Sequence, residues 1–410
     1  MKYSSLSLLL TVFALTSCHK NNNPTPTTKD STFISPAAAD SATGIVVVTY
    51  SVPNGGKAEY SLVCLNPDGS QKWKNDQFHG EVLQPPGYAN GILYVSTSYF
   101  AYIGPVGSSS YYSYGKIYAI DANNGSVKWS YLDSNYTSAT PLASNGTVYL
   151  PQHGFIQGFN ATSGAINLGM SVSDGLPWTP LIDGDTLYMP TAPMSTGYYS
   201  MRALNVKTQK AIWTTPIGYN PPGSVMIANG MLVFTKGAGG LVALDKTTGT
   251  IKWNVFDQQY YISRVVSGTT LFTFNHDNPF NLYAFGLSTG GLLWKAHFQN
   301  PPQPLGGLYL YGKNLYFYAY DNVSMYLQAM DPKTGDSVSR TNIKVSYESL
   351  LLVGHRVYAK KWWDDATNRQ LAVPKVVMLD AANFELKHST DIDAAQIISI
   401  RVIGRSGTIY

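Results

Sequence analysis

One phrase constrains this chain more than any other feature: Leu-Val-Ala-Leu-Asp-Lys-Thr-Thr-Gly-Thr-Ile-Lys-Trp at Leu241–Trp253. Tyr118–Trp129 nearly repeats it, and Ser61–Trp73 carries it one residue shorter. Phe155–Leu168, Arg202–Trp213, Tyr283–Trp294, Gln328–Ser339 and Val377–His388 bring the copies to eight. Each copy sets a large apolar residue before a turn that Asp or Asn opens in seven copies, Gly286 taking that place in the sixth. Ahead of it stands a small residue (Cys64, Ala119, Gly158, Ala203, Ala243, Ala284, Ala329), with Met378 the exception. Glycine closes six turns, Gln209 and Phe384 being the exceptions. Four residues on comes Trp73, Trp129, Trp213, Trp253 or Trp294, replaced by Leu168, Ser339 and His388 in the other copies.

This pattern describes a β-hairpin used eight times. Asp and Asn bond back to the backbone to start a turn, and glycine takes the positive φ that the turn asks for. The small residue suits a close approach of backbones. An indole at one fixed position per repeat fits a wedge between neighbouring sheets. Unrelated hairpins in a β-sandwich would not hold turn, small residue and indole in register. A second phrase precedes each hairpin, as in Gly91–Tyr94, Gly146–Tyr149 and Gly354–Tyr358, and a strand opening with Thr-Pro often comes before that, as at Thr140-Pro141. Each repeat therefore reads as four antiparallel strands, A to D, which make one propeller blade. The expected fold is an all-β, eight-bladed β-propeller, with seven blades as the alternative count.

The pattern Ala-x-Asp-x-x-x-Gly-x-x-x-Trp resembles the tryptophan-docking repeat of pyrroloquinoline-quinone-type β-propellers. That family includes quinoprotein alcohol dehydrogenases and the propeller lipoprotein of the outer-membrane β-barrel assembly machinery. The resemblance spans roughly residues 40–410 and speaks to fold, since the repeated residues are architectural.

Ahead of the repeats, Lys2 precedes the apolar run Leu6–Leu15, which ends in Leu15-Thr16-Ser17-Cys18. A charged start, a short apolar core and a small-residue site read as a secretory signal, too short to span a membrane as a helix. Its last four residues resemble a bacterial lipobox, which makes Cys18 the expected lipidation site and residues 1–18 the signal peptide. Residues 19–40, rich in Asn, Pro and Thr, are an expected flexible tether, and 41–410 the propeller. Acylation of Cys18 leaves Cys64 alone, so no intramolecular disulfide is expected. Cys64 occupies the slot alanine fills elsewhere and reads as an inert buried thiol.

Only 13% of the chain is charged, while tyrosine numbers 30 and glycine 37, which suits one large β domain. Glutamate occurs four times against twenty aspartates, because most acids serve turns. A formal charge of +4 with no basic stripe argues against nucleic acid as a partner. Past the eighth copy, Gln396–Arg401 and Gly407–Tyr410 read as a further A–B strand pair. Pairing with blade 1, where Thr43–Tyr50 offers a strand, would close the ring.

Catalysis finds little support. The resemblance to quinoprotein dehydrogenases implies adjacent cysteines and an acid cluster that holds calcium. This chain has no Cys-Cys pair, and Asp364-Asp365 reads as a loop pair without a glutamate. Its seven histidines show no metal-ligand spacing, His276-Asp277 being the one suggestive pair, and no nucleophile elbow or phosphate loop occurs. No catalytic residue, cofactor or metal is therefore expected.

Binding is better supported. The B–C connection of blade 2, Ser98–Gly115, carries Tyr99, Phe100, Tyr102, Tyr111, Tyr112 and Tyr114. That of blade 8 carries Trp362 and Trp363, and blades 4 and 6 add Tyr198, Tyr199 and Phe280. Exposed Tyr and Trp in loops are the composition of protein contacts and of sugar-stacking platforms, although long loops also use such residues as their own apolar anchors. Two readings follow. One is a non-catalytic, lipid-anchored scaffold of the bacterial envelope at the outer membrane, a monomeric propeller that binds an envelope protein, as the assembly-machinery relative implies. The other is a lipoprotein that binds a glycan or small ligand on the aromatic face, with or without an enzymatic step.

Overall fold

The computed structural model describes residues 37, 40–52, 58–78, 84–102, 111–133, 140–152, 154–172, 180–192, 198–237, 239–275, 280–296, 298, 303–305, 307–321, 324–344, 346–364 and 369–410. For 99–102, 111–114, 362 and 364 it describes the backbone alone. Residues 33–410 form one compact unit. The described strands make eight antiparallel sheets, and seven of them take their strands consecutively from the chain. This is an eight-bladed β-propeller, and the alternative count of seven falls away.

Blade 1 closes the ring. Its sheet runs Gln71–Asn75, Glu59–Leu65, Ala42–Ser51, then Gln396–Gly404. The N-terminal part of the chain thus supplies strands B, C and D, and the C-terminal part supplies the innermost strand A. The expected A–B pair at the C-terminus is instead one strand with a short return. Residues 404–407 turn, and Tyr410 exchanges both backbone hydrogen bonds with Val402. Asp40 fastens this corner. Its carboxylate accepts from the Ser41 and Ser406 amides and from the Tyr410 hydroxyl. Burial works against its ionisation, but the hydrogen bonds from Ser406, Ser41 and Tyr410 prevail and hold the carboxyl at about 2.

The middle strands are buried on both faces because a neighbouring blade covers each side. Ile45–Val48 is consequently an uninterrupted apolar run, all of it inaccessible. The turn grammar acts as the sequence implied. Asp245 accepts from the Thr247 and Thr248 amides, and Asp121, Asp331 and Asp380 accept likewise from the residue two positions on.

The indoles join each blade to the next. Trp73, Trp129, Trp213, Trp253 and Trp294 donate Nε1–H to the carbonyls of Ala122, Ala161, Lys246, Leu287 and Pro332, at 2.7–3.1 Å. Opposite each indole in its own sheet sits the small residue, as in Ala243↔Trp253 and Cys64↔Trp73, which leaves room for the ring. In the next blade the ring lies on the turn glycine. A Cβ on Gly125, Gly164, Gly249, Gly290 or Gly335 would stand 2.5–2.6 or 2.7 Å from indole carbons. The glycine is thus required by its neighbour's tryptophan, and positive φ is the lesser reason. Gln209 and Phe384 both hold φ at 57° without being glycine.

The exceptions now pair up. Blade 3 lacks its tryptophan (Leu168), and blade 4, which that indole would cover, lacks its glycine (Gln209). Blade 7 lacks its tryptophan (Ser339), and blade 8 lacks its glycine (Phe384). In blade 8 the slot holds His388, which packs on Gly69 of blade 1, while Thr390 Oγ1 donates to the Gly69 carbonyl at 2.8 Å. Wedge and socket are retained or lost together.

Candidate partner face

The up-and-down strand order puts B–C and D–A connections on one face and A–B and C–D turns on the other. The second face is regular and self-satisfied. Asn145 donates to Asp185 at 2.8 Å, Lys207 pairs with Asp185, and Lys246 pairs with Asp183. The first face departs from the repeat, and blades 2 and 8 depart furthest.

In blade 2 the expected loop is a correction to the sequence reading: most of it is β-hairpin. Strand Ile92–Tyr102 pairs with Tyr111–Asp121, eleven residues each, with Tyr99 opposite Tyr114, Ala101 opposite Tyr112 and Tyr102 opposite Tyr111. The matching strands of blade 5, Met231–Thr235 and Leu241–Asp245, have five residues. Six extra residues carry the blade 2 hairpin roughly 20 Å beyond the repeat. The Tyr and Ser residues of this arm are good strand formers when paired across a ladder, so the arm continues where a loop was expected.

Blade 8 is corrected in the same way. Arg356–Asp364 pairs with Arg369–Asp380, placing Trp362, Trp363 and Asp364 in a strand. A bulge lies between Lys361 and Trp363, which pairs with Gln370 and is half-buried. The side chains of Tyr99, Tyr102, Tyr111, Tyr112, Tyr114 and Trp362 lie outside the described residues, as do Cys18, His276 and Asp277. Blades 8 and 1 touch directly through Thr390, and blade 1 docks on blade 2 through Trp73. The two arms therefore flank blade 1 on one face.

Two aromatic residues on this face escaped the sequence reading. Tyr219, 74% exposed, meets Tyr198 edge-on at 4.8 Å in blade 4. Phe256, 69% exposed, sits under the Lys236 ammonium at 5.6 Å in blade 5. Both follow a D strand, outside the B–C connections where aromatic residues drew attention. Arg264 was also missed. Ser263, with φ at 49°, forms a bulge in the inner strand of blade 6 that turns Arg264 toward blade 5. Its guanidinium bonds to Ser224 and to Thr235 Oγ1, with no carboxylate partner, and burial lowers its pKa to about 10.

The quinone group of the resembling dehydrogenases does not fit these residues. Cys64 is a buried thiol on a middle strand of blade 1, raised by burial to about 11, with no adjacent cysteine. Among the described residues no three of His, Cys, Asp and Glu gather where a metal ion could be held.

Comparison with known proteins agrees with the architecture. A solved structure, BamB from Moraxella catarrhalis, superposes with a TM-score of 0.50 at 19% identity, over 77% of this chain and 88% of that one. A europium-containing methanol dehydrogenase gives 0.53 at 13% identity, over 78% and 81%. The dihydro-heme d1 dehydrogenase NirN gives 0.61 at 9%, over 86% and 74%. At such identities these likenesses report the fold. No curated protein matches the chain. The family model described as outer membrane protein assembly factor BamB matches residues 35–254, more than half the sequence. On that match, and on the repeat it covers, the chain belongs to the PQQ-like β-propeller family of the outer membrane protein assembly factor BamB.

Proposed function

We propose that this protein is a non-catalytic, lipid-anchored scaffold of the bacterial envelope, which holds a protein partner on the face carrying the arms of blades 2 and 8. The observation that carries this reading is the asymmetry between faces. The turn face satisfies its own polar groups, whereas the other extends two aromatic hairpins that the fold does not need. Departures from an architectural repeat are where a specific partner is read. The named member of the family is an outer-membrane assembly factor, which favours a protein as partner.

The anchor rests on the Leu15–Cys18 motif. Replacing Cys18 by alanine is expected to move the protein from the membrane fraction to the soluble one, as cell fractionation would read. A variant that still needs detergent removes the anchor from the proposal.

The face is tested separately. Cross-linking in intact cells followed by mass spectrometry identifies the partner. Calorimetry then compares Tyr111→Ala/Tyr112→Ala and Trp362→Ala/Trp363→Ala with the parent chain. Anchoring aromatics contribute about 2 kcal/mol each, so at least a thirtyfold loss of affinity is expected from each pair, with Tm nearly unchanged. Undiminished binding in both variants places the interface elsewhere. A glycan captured by this face in place of a protein supports the other reading of its aromatic composition.

A further inference from the structure

Blades 6 and 7 do not cover each other along their outer flank. Strand D of blade 6, Leu292–Lys295, has four residues, whereas that of blade 7, Ser337–Ile343, has seven. A groove of about 470 Å³ opens over the uncovered part of blade 7. It lies apart from the hairpin arms and begins where Trp294 docks on Gly335.

Its polar groups are held in fixed directions. Gln328 is buried at the floor, and its Nε2 lies 2.7–2.9 or 3.0 Å from Ser337 Oγ, the Ser339 carbonyl and the Ala329 carbonyl. Two carbonyls at the nitrogen fix the amide orientation, so Oε1 remains as an acceptor for a ligand hydroxyl or N–H. Arg340 forms one wall. Its guanidinium stacks 3.8 Å from the Tyr326 ring centre, and its Nη2 donates to Asp321 at 2.7 Å and Ser324 Oγ at 3.0 Å. Asp321 neutralises that charge and holds the plane still. Lys295 and Asp336 line the rim as exposed groups of opposite sign, and neither belongs to an ion pair. Phe298 contributes an apolar edge.

The groove is near neutral. It offers a fixed acceptor, a free donor, a free carboxylate and a flat stacked surface. A phosphate or polyanion would meet one free cation beside a carboxylate. An apolar ligand would strip water from the amide and both charges. A polyhydroxylated ring satisfies each group at once, and the volume falls in the range of small-ligand sites, roughly 300–1,000 Å³. From this geometry we infer a saccharide site between blades 6 and 7, taking a neutral sugar of one or two rings. It does not depend on the scaffold reading or on the hairpin arms.

The test is saturation-transfer NMR and calorimetry on the full chain in detergent, with maltose, cellobiose and chitobiose as probes and inorganic phosphate and trialanine as controls. At least one disaccharide is expected to bind saturably. Lys295→Ala/Asp336→Ala should weaken it at least tenfold, leaving the sugar-free Tm unchanged because both side chains are exposed and unpaired. Tyr111→Ala/Tyr112→Ala should leave sugar binding intact, which separates this site from the partner face. The inference is overturned if none of the three sugars binds, if the rim variant binds as the parent does, or if trialanine or phosphate binds and the sugars do not.

Discussion

Replacing Trp253 by alanine is expected to lower the free energy of unfolding by about 3–5 kcal/mol, the cost of truncating a large aromatic in a packed interface. Trp253 is 7% exposed, its Nε1 donates to the Leu287 carbonyl at 2.7 Å, and its ring covers Gly290 of the next blade. Alanine would leave a cavity against Gly290 and orphan the carbonyl that the indole satisfies. A repeat protein holds together through its nearest-neighbour interfaces, so damage to one seam is not diluted by the rest. Ser339→Ala supplies the contrast. It occupies the same register position opposite Ala329 but is exposed, and its replacement should change stability by less than about 0.5 kcal/mol. Denaturant midpoints of the two variants check this, and equal losses would remove the indoles from the account of blade docking.

The sequence displayed most of this design because its grammar is local. Asx residues opening a turn, a small residue and an indole all fall within a dozen positions, so copies align by eye. What stayed hidden acts between copies. The glycine of one hairpin answers the tryptophan of the previous one, whereas alignment sets Gly249 beside Trp253, with which it has no such contact. Gln209 and Phe384 therefore read as decay, although each follows from the residue lost in the preceding blade. The arms were hidden for another reason. Ser98-Tyr-Phe-Ala-Tyr102 has neither strict alternation nor an apolar run, so nothing in it distinguishes a strand from a loop until Tyr111–Gly115 pairs with it. Ring closure is longer in range still, joining Val46 to Arg401. Arg264 carried a signal only in its bulge, and a serine with positive φ is not marked in sequence.

The pairing of wedge and socket makes its sharpest prediction at the seam between blades 7 and 8. There the side chain crosses the gap from the opposite direction. Phe384, 4% exposed, reaches back from the turn of blade 8 to Tyr309, Tyr318 and Tyr347, with ring centres 5.8–6.3 or 6.4 Å away. Its amide still donates to the Asp380 carbonyl at 2.9 Å, as Gly249 donates to Asp245. Phe384→Gly should therefore keep the turn while losing the wedge. Emptying the site costs about 3–5 kcal/mol, against which the release of a left-handed phenylalanine returns about 1 kcal/mol. Ser339→Trp alone should not stabilise, because the place its indole would take on the turn already carries the Phe384 Cβ. Together the two changes restore the arrangement of the five indole seams, a tryptophan on a glycine. The double variant is then expected to be more stable than Phe384→Gly by at least about 1 kcal/mol, with a coupling of that size in a double-mutant cycle. If the two effects merely add, wedge and socket are independent, and the paired loss of Trp and Gly in this chain has some other cause.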